Sequence, residues 1–253
     1  IKGGDDGVQN GGTGTVTMTA GSVEGIAGMW NAAGGTLTIS GGTIKGTSSS
    51  HGGLYNSATL NLSGGTITGT YGVKNEGTAN ISGGTMSTLQ NLATATISGT
   101  AKVSGAASNS SSLTMSAGTI GGTLTSSAGT TNLSGGTIAA LTVSGGTTNV
   151  KGSTINGATS NSATLNVSSG TLKGGISNSA TLKVSGGTVS GSTGISTTAG
   201  TVTVSGGTIT GSSSYAINAT GGTVNYTGGT LKGNTTNIYT YYMKSGVSFS
   251  IGD

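Results

Sequence analysis

Five carboxylates and one imidazole are all that this chain offers for acid–base chemistry: Asp5, Asp6, Glu24, Glu76, Asp253 and His51. Glycosidic cleavage needs two converging carboxylates, and nucleophilic catalysis needs a base beside its nucleophile. Only Asp5 and Asp6 adjoin in sequence, and His51 lies in the polar loop Ser48–Gly53 beside no partner that the sequence supplies. No catalytic residue is therefore assigned, and the chain is expected not to be an enzyme. The absence of Cys removes disulfides and thiolate metal sites. Gly3-Gly4-Asp5-Asp6 has the beginning of a calcium loop, but it occurs once, and a repeating Asp is missing. The Gly-Gly pairs lead into short Thr-led runs and no helix, so they are not phosphate loops. Neither a metal nor a cofactor is expected.

Hydroxyl and amide side chains are another matter, because they recur in columns. The leading column reads Thr15, Thr36, Thr59, Thr78, Thr94, Ser112, Thr130, Thr147, Thr164, Thr181, Thr201 and Thr223. Two residues on, a second reads Thr17, Thr38, Asn61, Asn80, Thr96, Thr114, Asn132, Asn149, Asn166, Lys183, Thr203 and Asn225. Alternation along a strand puts both columns on one face, about 6.7 Å apart along the strand and about 4.8 Å between neighbouring strands. Such a ladder is a candidate surface-binding face. A polar outer face of Thr is also what β-propensity and solubility alone select.

The elements that would position these columns are visible in Thr59–Gly77. Thr59-Leu60-Asn61-Leu62 alternates as a strand with one buried face. Ser63-Gly64-Gly65 breaks it, Thr66-Ile67-Thr68 forms a second short strand, and a loop closes on Val73-Lys74-Asn75. The unit recurs at spacings of 16 to 23 residues. Its inward side chains are Leu60, Leu62, Ile67 and Val73, then Leu165, Val167, Leu172 and Ile176, then Leu182, Val184, Val189 and Ile195. Four apolar side chains per unit make no core alone, but stacked units share a continuous one. The expected fold is all-β: a parallel β-helix (β-solenoid), right-handed because the coils are unequal, of about twelve coils.

Composition agrees with that reading. Gly, Ser, Thr and Asn dominate, with 53 Gly, no Pro and only 6% charged residues. Disorder would combine low hydrophobicity with high net charge. Here 31% of residues are hydrophobic, the net charge is +4, and the apolar residues keep register. The basic balance comes from nine Lys without Arg, spread along the chain, so a nucleic-acid face is not expected. No apolar run approaches the roughly 18 residues of a membrane helix. Lys2, Glu24, Lys45, Thr68, Ser87 and Lys102, then Lys173 and Lys232, are expected to form an outer column on the Gly-Gly-Thr strand.

A further column has the form apolar-x-Asn, with Asn10, Asn31, Asn56, Asn75, Asn91 and Asn178. Asn suits turns, and in stacked coils its amides can bond one another, giving a structural ladder. The solenoid is expected over 1–238 as one domain. Residues 239–253 carry Tyr239, Tyr241, Tyr242 and Phe249 and are expected to cap it or connect it onward. Ile1-Lys2-Gly3 matches the middle of a unit (compare Ile44-Lys45-Gly46), which reads as a piece of a longer precursor.

The two columns of hydroxyls and amides resemble the Thr-x-Thr and Thr-x-Asn ladders of ice-binding β-solenoids, whose flat arrays order water. Phrases such as Thr36–Gly46, Leu54–Ala58 and Val202–Gly211 look like the repeats of adhesin-like bacterial surface proteins. That resemblance implies an extracellular, secreted or cell-surface-attached stalk, adhesive module or filament subunit. Expected partners are other copies, stacked end to end through open coil edges, or host or cell-wall glycans.

Overall fold

A computed structural model describes residues 1–233, 241–243 and 248–251. The chain is an all-β parallel β-solenoid of about twelve turns, and among the described residues there is no helix. It divides into two compact units, Ile1–Leu124 and Thr125–Asp253.

In the first unit each coil has three short strands. Leu54–Asn56 (apolar-x-Asn), Thr59–Leu62 (Thr-led) and Thr66–Thr68 (Gly-Gly-Thr) form one such coil. Each pairs in parallel with its counterpart in the coil before and the coil after, so Leu37, Leu60 and Ala79 align, as do Ile44, Ile67 and Met86. Leu60, Leu62, Ile67 and Val73 are all buried. Removing one such side chain from water contributes about 1.5–3 kcal/mol, and the stack repeats that gain in every coil.

The Ser-Gly-Gly corners show why Gly is used so heavily. Gly65 has φ 85°, where a side chain would be strained. Gly64 lies against the preceding coil: a Cβ there would fall 2.2 Å from the Ser40 carbonyl oxygen. The first Gly gives room for close stacking, and the second makes the turn.

In the second unit, from Thr147 onward, the Thr-led and Gly-Gly-Thr runs join into single long strands, such as Thr181–Gly191 and Thr201–Gly211. Register slips between Val184 and Ser185 and again between Ser185 and Thr188, so Ser-Gly-Gly becomes a bulge instead of a break. Leu165, Val167, Leu172, Ile176, Leu182, Val184, Val189 and Ile195 are buried, as the alternation requires. This unit also buries hydroxyls where other coils have aliphatic groups. Thr131 Oγ1 lies 2.9 Å from Ser126 Oγ, whereas the buried Thr148 Oγ1 has no hydrogen-bond partner.

Two backbone segments of the aromatic tail extend the stack. Tyr241–Met243 pairs with Ile217–Ala219, and Ser248–Ile251 pairs with Thr223–Tyr226. The expected cap depends on Tyr239 and on tail side chains that lie outside the described residues.

Candidate functional site

The Thr-led strands bring the predicted columns into register within each unit. In the first unit Thr15, Thr36, Thr59, Thr78, Thr94 and Ser112 align, and beside them Thr17, Thr38, Asn61, Asn80, Thr96 and Thr114. In the second, Thr130, Thr147, Thr164, Thr181, Thr201 and Thr223 align, with Asn132, Asn149, Asn166, Lys183, Thr203 and Asn225 in the parallel column. These outer positions are half-buried or exposed. The amides bond one another along the face: Asn80 Nδ2 donates to Asn61 Oδ1 at 3.0 Å, Asn149 to Asn132 at 2.9 Å and Asn166 to Asn149 at 2.9 Å. Much of the amide polarity is thus satisfied within the protein.

The apolar-x-Asn segments build a second ladder, inside the wall. Asn10 Nδ2 donates to Asn31 Oδ1 at 2.9 Å, Asn31 to Asn56 at 2.7 Å, Asn56 to Asn75 at 2.7 Å and Asn75 to Asn91 at 2.8 Å. Asn91 donates onward to Asn109 at 2.7 Å. In the second unit Asn161 donates to Asn178 at 2.7 Å, and Asn178 to the Thr197 hydroxyl at 3.1 Å. Each Nδ2 also reaches a backbone carbonyl; Asn75, for example, donates to Thr94 O at 2.9 Å. These amides are buried and saturated, so their role is structural. Asn161 escapes the apolar-x-Asn pattern because Thr159 fills its apolar place, whereas Asn109 fits it through the small Ala107. The surer signal is position: both Asn residues stand three residues before a Thr-led strand.

The charged column needs one correction. Lys2 bridges Glu24, and Glu24 aligns with Lys45, forming a 3.3 Å ion pair. Lys102, however, aligns with Thr85, one column over, because Thr85-Met86 registers on Lys102-Val103. In the second unit Lys232 aligns with Thr210, which aligns with Ser190.

His51 has aromatic neighbours that sequence proximity hides. Trp30 and Tyr55 occupy the middle place of successive apolar-x-Asn segments and so stand side by side on the outside. Loop Thr47–Gly53 carries His51 over them. The Trp30 and His51 rings stack at 6.0 Å and 28°, and Tyr55 meets Trp30 edge-on at 5.9 Å and His51 at 5.3 Å. A serine turn holds the loop: Ser48 Oγ accepts from Ser50 N at 3.0 Å, and Ser50 Oγ lies 3.0 Å from His51 Nδ1.

Lys74, next in the same column, sets its ammonium 5.0 Å from the Tyr55 ring centroid and 3.2 Å from Glu76 Oε1. The Tyr55 hydroxyl donates to Glu76 Oε2. Burial pushes the Tyr55 hydroxyl above its ordinary pKa, and the bond to Glu76 adds to that. The same bond, aided by Lys74, holds Glu76 below its ordinary value against the opposing effect of burial. The chain's one Trp, its one His and one of its five acids thus share a single patch.

Among the described residues no three His, Asp or Glu side chains are grouped to hold a metal. No protein-family model matches the chain, and no curated protein or solved structure matches it.

Proposed function

We propose that this chain is a non-enzymatic, extracellular β-solenoid module, serving as the adhesive stalk of a bacterial surface protein or as a filament subunit. The supporting observation is the in-register stacking of near-identical coils. In this arrangement backbone pairing and a shared apolar interior hold the molecule together while the outward positions are free to vary. Partners are glycans of a host or cell wall, or further copies of the chain. Beads coated with the protein and washed under flow over glycan-bearing surfaces test adhesion. Retention above uncoated beads is expected, and equal wash-off overturns the adhesive reading. Electron microscopy tests assembly: continuous fibres of constant width support a filament subunit, and only monodisperse particles at all concentrations count against it.

Ice binding is the second reading, favoured by the aligned Thr columns on the Thr-led strands. Against it stand the outer amides that bond one another and Lys183 within the second column. Ice-growth microscopy on the native chain and on Thr164→Tyr decides. Faceted crystals with thermal hysteresis, lost in the variant, support the reading; unshaped crystals with the native chain remove it.

A further inference from the structure

The outer column of the apolar-x-Asn segments changes character between the two units. In the first it reads Gln9, Trp30, Tyr55, Lys74, Gln90 and Ser108. In the second it reads Thr142, Ser160, Ser177, Ser196 and Asn218, and then Tyr242 of the tail. The strands on either side are of the same kind, so the fold is built equally well with serine at these places. Large aromatic and charged side chains here are not demanded by packing. The loop that carries His51 belongs to the longest interval between Thr-led strands of the first unit, from Thr36 to Thr59. Two independent departures from the repeat therefore meet at one spot.

The chemistry of the spot narrows what it would hold. Trp30, His51 and Tyr55 touch one another, with centroids 5.3 to 6.0 Å apart, and each is half-buried. Rings in mutual contact leave no gap between them for an ammonium group. The cation position over Tyr55 is taken by the protein's own Lys74. Lys74 and Glu76 cancel in charge, which disfavours strongly acidic or basic ligands. Trp30 Nε1 is closed to solvent, so the indole offers its ring and not its N–H to a ligand.

An aromatic patch beside a paired carboxylate and ammonium suits one kind of molecule. A pyranose presents C–H bonds on its face, which the negative face of an aromatic ring attracts. Its hydroxyls lie at the rim, where Glu76 accepts and Lys74 donates. We propose that Trp30, His51, Tyr55, Lys74 and Glu76 form a binding site for a neutral pyranose unit of an oligosaccharide. This deepens the adhesive reading and rests on it for its biological sense.

The single Trp makes the test direct, because all indole fluorescence comes from Trp30. The full chain is titrated with neutral oligosaccharides of hexoses and N-acetylhexosamines to about 1 mM, and calorimetry repeats each positive case. A saturable change in emission is expected with at least one of them. Tyr55→Ser and Glu76→Gln are each expected to weaken it at least about tenfold. Tyr55→Ser installs the residue that the second unit carries in the same column, so the coil is expected to remain folded, as circular dichroism would check. No saturable binding across the panel overturns the site. Binding that both variants leave unchanged, or binding of acidic sugars or peptides alone, overturns it equally. If coated beads adhere while these titrations are flat, the site fails and the adhesive reading survives; if Trp30 titrates and the beads do not adhere, the reverse holds.

Discussion

Asn56 donates its amide N–H to Asn75 at 2.7 Å inside the wall, toward the next coil, whereas on the outer face Asn80 donates to Asn61 at 3.0 Å, toward the previous one. The inner direction is fixed by the carbonyls that each Nδ2 also reaches, such as Thr78 O from Asn56 at 3.2 Å. Outer amides have water as an alternative partner and inner ones do not, so the two ladders differ in what their loss costs.

Asn75→Ala should therefore be costly. It removes the bonds to Asn56 and Asn91 and takes from the buried Asn91 Oδ1 its Asn75 donor, while Asn56 Nδ2 keeps only backbone carbonyls. A loss of about 2–4 kcal/mol is expected from urea denaturation. Asn80→Ala, on the outside, should cost less than about 1 kcal/mol. Equal losses from the two would show that the inner ladder contributes nothing special.

Gly64→Ala tests the close approach of neighbouring coils. The added methyl would meet the Ser40 carbonyl at 2.2 Å, and backbone must shift to admit it. A destabilisation of about 1–3 kcal/mol is expected in thermal or urea unfolding. Gly4→Ala is the control, since a Cβ there meets nothing within 4 Å. An unchanged midpoint for Gly64→Ala refutes the stacking geometry.

Thr148→Val should stabilise the second unit. The Thr148 hydroxyl is buried without a partner, and a methyl group of similar shape carries no such penalty. The expected gain is about 1 kcal/mol or more. A lower unfolding midpoint in the variant would mean that the hydroxyl makes a bond of value.

Acid should loosen the patch around Glu76. Its folded pKa is depressed by the Tyr55 hydroxyl and Lys74, so its contribution is present above its unfolded value of about 4.5 and lost as pH falls through the folded value. Thermal midpoints at pH 7 and pH 3 should therefore drop further in the native chain than in Glu76→Gln. Parallel drops would remove the role assigned to this carboxylate.

Much of the fold was legible because its signal is local and repeated. Leu60, Leu62, Ile67 and Val73 declare an inward face by alternation, and stacking then dictates that Thr59 lies over Thr36. Asn161 is hidden from an apolar-x-Asn search by Thr159, and Asn109 is faint in it because Ala107 is small; the offset of three residues to the next strand marks both. Lys102 was misplaced by one column for a related reason: the interval before it differs, and only backbone pairing fixes where the slack is absorbed.

The sequence by itself determined the coil, its buried face and the columns on its outer face, since each follows from period-2 alternation within a unit and from units being alike. Only the tertiary structure decided that Trp30, His51, Tyr55, Lys74 and Glu76 share one patch. These residues come from successive coils and from an irregular loop, and a loop's path depends on backbone pairing and turn bonds that no repeat encodes.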